Sequence, residues 1–214
     1  MIVDERMVSF INSLDRGNTK ELDELEAVAI STYVPIIRKE MQSLLKFLIE
    51  VKQPLQILEV GTAIGFSAIF MSEYAPENCK ITTIENYKKR IPIARANFIK
   101  ANREDKIELI EGDATDILCK LTEPYDMIFM DAAKGQYINF LPEIIRLLKP
   151  GGLLISDNVL QDGDVIESRF AIKRRNRTIH ARLRSYLYEL KHHSKLETTI
   201  LPVGDGVTIS VKKK

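Results

Sequence analysis

Leu55-Gln56-Ile57-Leu58-Glu59-Val60-Gly61-Thr62-Ala63-Ile64-Gly65 is the stretch whose reading decides the fold. Its apolar run ends at Val60, too short for a buried helix and well suited to a strand buried on both faces. Gly61 lets the chain turn sharply, and Gly65 opens the next amphipathic stretch, Phe66–Tyr74. Downstream the pattern repeats. The runs Lys80–Ile84, Ile107–Ile110, Met127–Met130 and Leu153–Ser156 alternate with the helix-length stretches Lys88–Ala101, Thr115–Leu121 and Tyr137–Leu148. Strand and helix in alternation, with continuously apolar strands, predict a parallel sheet covered on both faces.

Upstream, Val8, Ile11 and Leu14, then Leu22, Leu25 and Ala29, then Met41, Leu44, Leu45 and Leu48 recur at helical spacing, interrupted by Gly17-Asn18 and Pro35. Residues 1–50 therefore read as a helical N-terminal extension. At the other end a long helix fills part of Asp164–His193. Leu196–Leu201 and Val207–Val211 then flank the turn Pro202-Val203-Gly204-Asp205-Gly206 as an antiparallel hairpin. No interdomain linker or repeat is visible, so residues 1–214 form a single α/β domain.

Composition narrows the function. In 214 residues, 31 Lys+Arg face 30 Asp+Glu and 45% are hydrophobic, which excludes disorder and a globally basic nucleic-acid binder. Cys79 and Cys119 make no CxxC pair, so a reducing compartment is expected. No apolar run approaches the ~18 residues a membrane span needs. The N-terminal MIVDERMVSF lacks the basic start of a signal peptide, and a cytoplasmic location is expected.

Ligands of open parallel sheets bind beyond the carboxyl ends of the strands. There an acid recurs: Glu59, Glu85, Asp113, Asp131 and Asp157, at or just after successive strand ends. Such a rim attracts cations and repels phosphates. Glu85 lies 20 residues beyond Gly65, where such folds place an acid on a ribose diol. The dinucleotide fingerprint GxGxxG is absent, the spacing being GxxxG. A cationic nucleoside without phosphate, S-adenosylmethionine (SAM), suits the rim better than a nicotinamide cofactor. Asp131, Asp157 and Asn158 together offer three oxygen ligands for a hard cation such as Mg²⁺, and no His–Cys cluster competes for zinc.

Glu59–Gly65, Glu85, Glu111-Gly112-Asp113-Ala114 and Met130-Asp131-Ala132-Ala133-Lys134, in this order, resemble the metal-dependent O-methyltransferases that include catechol and caffeoyl-CoA O-methyltransferases. The resemblance implies a Rossmann-like class I fold with a mainly parallel seven-stranded sheet closed by a C-terminal antiparallel hairpin. It implies SAM contacts from Met41, Glu59, Gly61, Ser67, Glu85, Gly112, Asp113, Ala114 and Asp131, with Met41 at the methionine end and Gly112–Ala114 at the adenine. It places Mg²⁺ on Asp131, Asp157 and Asn158, with Asp131 and Lys134 in catalysis, Lys134 as a proton acceptor or an electrostatic aid. N-terminal helices capping the donor site and a homodimer are implied likewise.

Residues 169–195 carry nine Lys and Arg against one acid, Glu189. Lys173, Arg174, Arg175, Arg177, Arg182 and Arg184 form a footprint for phosphates that a small catechol does not require. With Asn158-Val159-Leu160 and Thr178-Ile179, this run resembles bacterial tRNA 5-hydroxyuridine methyltransferases of the same family. That implies an anticodon-loop substrate, a wobble 5-hydroxyuridine converted to 5-methoxyuridine. Phe170, Tyr186, Tyr188 and Tyr137 are the candidates for stacking the base. His180, His192 and His193 read as surface residues. A small-molecule O-methyltransferase and a non-catalytic RNA-binding module are the alternatives.

Overall fold

The computed structural model describes residues 3–214. Three helices come first, α1 (Glu5–Ser13), α2 (Lys20–Ser31) and α3 (Lys39–Lys52). Asp4 caps α1, its carboxylate accepting from the Arg6 and Met7 backbone N–H groups. Then strand and helix alternate: β1 (Gln56–Val60), α4 (Phe66–Tyr74), β2 (Lys80–Glu85), α5 (Ile91–Lys100), β3 (Ile107–Glu111), α6 (Ala114–Leu118), β4 (Tyr125–Met130), α7 (Tyr137–Leu147) and β5 (Leu148–Ser156). The chain ends with α8 (Arg177–His192), β6 (Leu196–Leu201) and β7 (Val207–Lys212).

The seven strands form one sheet in the order β3-β2-β1-β4-β5-β7-β6. The first five are parallel, and β7 runs antiparallel to both β5 and β6. Order reverses beside β1, where β2 leads to one edge and β4 to the other, and a crevice opens at the carboxyl ends there. Side chains alternate across the sheet. Ile57 joins a core with Met41, Leu45, Phe66, Phe70 and Phe98, whereas Leu58 and Val60 join a second core with Phe140, Leu141, Leu183 and Tyr186. Each face is thereby sealed by helices, as continuously apolar strands require.

Some boundaries differ from the sequence reading. The strand expected at Leu153–Ser156 begins at Leu148, its pairing with β4 interrupted between Tyr125 and Met127. Pro150 has no N–H for the ladder and Gly151 has φ +74°, so that part of the run looks like a turn in sequence. The long helix of the C-terminal third starts only at Arg177, so Arg174 and Arg175 stand on a preceding 3-10 turn, Arg174–Asn176. His180 is buried, contrary to expectation, with Nε2 3.1 Å from the Glu167 carbonyl. It faces the core because it lies one turn from Leu183 on the inner side of α8.

Candidate active site

The strand ends are held together by backbone bonds that continue the ladder. Gly61 N–H donates to Ile84 O, Asp131 N–H to Val60 O, Asp157 N–H to Met130 O and Gly112 N–H to Glu85 O, all within 3.0 Å. Gly61 has φ +105°, and a Cβ there would fall on the Asp131 carbonyl, so only glycine lets the two strand ends approach so closely. Above this platform opens a cavity of about 780 Å³, lined among others by Arg38, Gly61, Ser67, Glu85, Asp131 and Asp157. That volume is of the size that holds a small-molecule ligand.

At the end near β2 and β3, Glu85 accepts from three backbone N–H groups: Ala63 at 2.7 Å, Asn86 at 3.0 Å and Tyr87 at 2.8 Å. A carboxylate has about four acceptor sites, so one remains for a hydroxyl. Asp113 caps α6 through Thr115 N–H at 2.8 Å, and bonding to Thr115 holds its carboxyl below the usual range. Gly112, Asp113 and Ala114 line this end.

The other end gathers Asp131, Lys134, Asp157 and Asn158. Burial, with Asp131's charge as a second cause, pushes Asp157 up to about 7. Asp131 is raised by burial too, with Lys134 opposing. Tyr137 fixes this corner. Its hydroxyl lies 3.1 Å from Met130 O and 3.2 Å from Asp157 O, and 3.3 Å from the Ala132 N–H that donates to it. Tyr137 and Tyr186 are fully buried and packed edge-on, so neither can stack a base. Phe170 and Tyr188 stay exposed.

Two expected donor contacts lie elsewhere. Met41 is buried in the core with Leu45 and Ile49, because it sits on the inner face of α3; Pro35–Arg38, just before that helix, lines the cavity instead. Glu59 is completely buried behind the wall. It points to the α4 side of β1, where Thr83 Oγ1 donates to its Oε2 at 2.5 Å while Oε1 has no partner. Burial raises it from 4.5 to about 7. Of the five rim acids, four therefore face the cavity.

Asp205 was not anticipated. It is buried, and its carboxylate lies 3.4 Å from Lys134 Nζ and accepts the Asp162 N–H. The signal was topological: β7 is antiparallel to β5, with Ser156 opposite Thr208. The turn before β7 must then lie at the same rim as the carboxyl end of β5.

The basic run lies outside the cavity. Lys173, Arg174, Arg175, Arg182 and Arg184 are exposed and Arg177 is half-buried. Among the described residues no salt bridge includes any of the nine cations of 169–195. Arg182 donates to Gly135 O at 3.0 Å, between the cavity-lining Lys134 and Gln136.

The O-methyltransferase family model matches residues 12–213. The chain belongs to this family. It is a SAM-dependent O-methyltransferase. It is 33% identical over 204 residues to caffeoyl-CoA O-methyltransferase 2 of Populus trichocarpa, covering 89% of this chain and 79% of that protein. It is 37% identical over 127 residues to a catechol O-methyltransferase of Niastella koreensis, a match spanning 58% of each chain. A Staphylococcus aureus protein provisionally named a caffeoyl-CoA O-methyltransferase superposes with a TM-score of 0.89 at 32% identity, over 98% of this chain and all of the other. A Podospora anserina methyltransferase solved with bound SAH superposes with a TM-score of 0.88 at 27% identity, over 98% and 95% of the two chains. Among the described residues no helix is long and apolar enough to cross a membrane.

Proposed function

We propose that the O-methyltransferase methylates a hydroxyl with a second oxygen on the neighbouring atom, and that this acceptor is the 5-hydroxyuridine of a tRNA anticodon loop. Glu85 would hold the ribose of SAM, Gly112–Ala114 its adenine, and Gly61 and Ser67 its methionine end. The acidic lining complements the amino group and sulfonium and would repel a phosphate-bearing cofactor.

The opposite end suits Mg²⁺. Asp131 and Asp157 are like charges, buried together, with Lys134 the nearby cation and Asp205 already holding it. Such a pair is costly unless a cation joins it, and Asp131, Asp157 and Asn158 form the oxygen set a hard ion prefers. When bound, Mg²⁺ supplies Lewis-acid polarisation of two adjacent acceptor oxygens. Lys134, paired with Asp205, would stabilise the anion formed as the acceptor hydroxyl gives its proton to solvent. The packed wall of Gly61, Asp131 and Tyr137 gives the rigid surface against which the acceptor would be oriented.

The observation that carries the RNA reading is the unneutralised basic surface of residues 169–195, tied through Arg182 to Gly135, between the cavity-lining Lys134 and Gln136. An unpaired anticodon base can be splayed into the cavity while the phosphates lie along the cations. A small phenol is the second reading. The comparisons favour it, because the relatives named above carry catechol and caffeoyl-CoA in their names. The deciding experiment incubates the protein, SAM and Mg²⁺ with tRNA bearing 5-hydroxyuridine and, separately, with catechol and caffeoyl-CoA. Mass analysis should reveal 5-methoxyuridine in the tRNA. Methylation of the phenols alone would establish the second reading. A homodimer is part of the same proposal, supported by the exposed Phe10 and Ile11 of α1, Leu14 just after it, and Phe47 and Val51 of α3.

A further inference from the structure

Among the described residues three cationic side chains line the cavity: Arg38, Arg90 and Lys134. Two are committed. Lys134 is paired with the buried Asp205, and the Arg90 guanidinium lies 5.4 Å from the Tyr87 ring centroid at the donor end. Arg38 is different. Its only ion pair, among the described residues, is with Asp162 at 3.8 Å, and the two side chains are 43% and 65% exposed. A pair so long and so wet contributes little and exchanges readily.

Its position is informative. Arg38 comes from the segment Pro35–Arg38 between α2 and α3, and Asp162 from the 3-10 turn Gln161–Ile166 that follows the Asp157-Asn158 corner. The aliphatic part of Arg38 packs against Gly204, its Cδ lying 3.8 Å from where a Cβ would stand. Gly204 adjoins Asp205, which holds both Lys134 and the Asp162 backbone. Arg38 therefore lies at the acceptor end of the cavity, away from Glu85 and Gly112.

We infer that Arg38 is a specificity-determining residue that exchanges Asp162 for a phosphate ester attached close to the acceptor ring. The chemistry is direct. A guanidinium offers a planar fork of donors matched to phosphate oxygens, and charge-assisted bonds of this kind are about twice as strong as neutral ones. At the acceptor end Asp131 and Asp157 are the proposed metal ligands and Asp205 is paired with Lys134, so the guanidinium of Arg38, held only by the exposed Asp162, is the cation there that can change partner. This rests on the proposed acceptor and deepens it. A nucleotide carries its phosphate beside the base, whereas the phosphates of a coenzyme A thioester lie far from the phenol.

The test measures binding by calorimetry in the presence of SAH and Mg²⁺, for the natural protein and for Arg38→Ala, Arg38→Lys and Asp162→Asn, each first checked for an unchanged melting temperature. The probes are 5-hydroxyuridine, its 5′-monophosphate, catechol, caffeoyl-CoA and inorganic phosphate. The natural protein should prefer the monophosphate to the nucleoside roughly tenfold, the usual scale of one charge-assisted bond. Arg38→Ala should abolish that ratio, Arg38→Lys should restore part of it, and Asp162→Asn should increase it. The same split should appear in KM rather than kcat. Equal ratios in the natural protein and Arg38→Ala would overturn the inference. A loss confined to caffeoyl-CoA would overturn the nucleotide assignment. If no ring compound binds, the acceptor reading fails, and inorganic phosphate alone decides Arg38: binding abolished in Arg38→Ala supports it, and equal binding refutes it.

Discussion

Asp131 and Asp157 close neighbouring parallel strands, one residue beyond the paired Met130 and Ser156, and both carboxylates are raised by burial. The backbone puts them there, since Asp157 N–H is bonded to the carbonyl of the residue preceding Asp131. A charge repulsion is thus built into the sheet edge.

Removing one member should relieve the repulsion and abolish the site. Asp131→Ala and Asp157→Asn should each lower methyl transfer by at least about 100-fold, the upper end of what even indirect metal partners cost. EDTA should do the same to the natural protein. Initial rates with and without added Mg²⁺ check this, and undiminished turnover in EDTA would falsify the metal role.

Glu59 gives a pH dependence of stability. Its pKa rises from 4.5 to about 7 on folding, chiefly through burial, so the folded state holds the proton more tightly than the unfolded chain. Its contribution is complete below about 4.5 and is lost as pH rises to about 7. At ~1.4 kcal/mol per unit, the total is on the order of 3 kcal/mol. Asp157 adds a slope of the same sign. Urea titrations at several pH values should show Glu59→Gln flattening the profile between pH 5 and 7; an unchanged slope would contradict an uncharged buried carboxyl.

Tyr137→Phe removes the hydroxyl that binds Ala132, Met130 and Asp157. The Ala132 N–H then loses its acceptor, which should cost about 1–3 kcal/mol. The midpoint of denaturation measures the loss, and Mg²⁺ affinity should fall as the Asp157 corner loosens.

The triple change of Arg174, Arg175 and Arg177 to Ala addresses the acceptor. Binding of tRNA should weaken, and the slope of log affinity against log salt should shrink by roughly 0.7–0.9 for each phosphate that is no longer neutralised. Filter binding at several salt concentrations reads this directly. An unaltered slope would point to a small phenol.

Much of this protein was written in local pattern. The apolar runs around Ile57, Ile81, Leu109, Ile128 and Leu154 specify strands because both faces must be covered, and the helix-length stretches between them leave a parallel sheet as the solution. Gly61 and Gly65 were legible for the same local reason, a positive φ that other residues avoid. The acids at strand ends followed from spacing, as did the oxygen set at Asp131, Asp157 and Asn158. Side-chain direction did not. Glu59 and Met41 have the right numbers and the wrong faces, and His180 points inward, because a shift of one residue on a strand, or one side of a helix, moves a side chain between cavity and core. Asp205 and Arg38 reach the site from turns far away in the chain. Only the antiparallel return of β7 and the packing of the N-terminal segment bring them to Lys134 and Asp162, since such contacts depend on how distant segments close in space and leave no periodic trace in the order of residues.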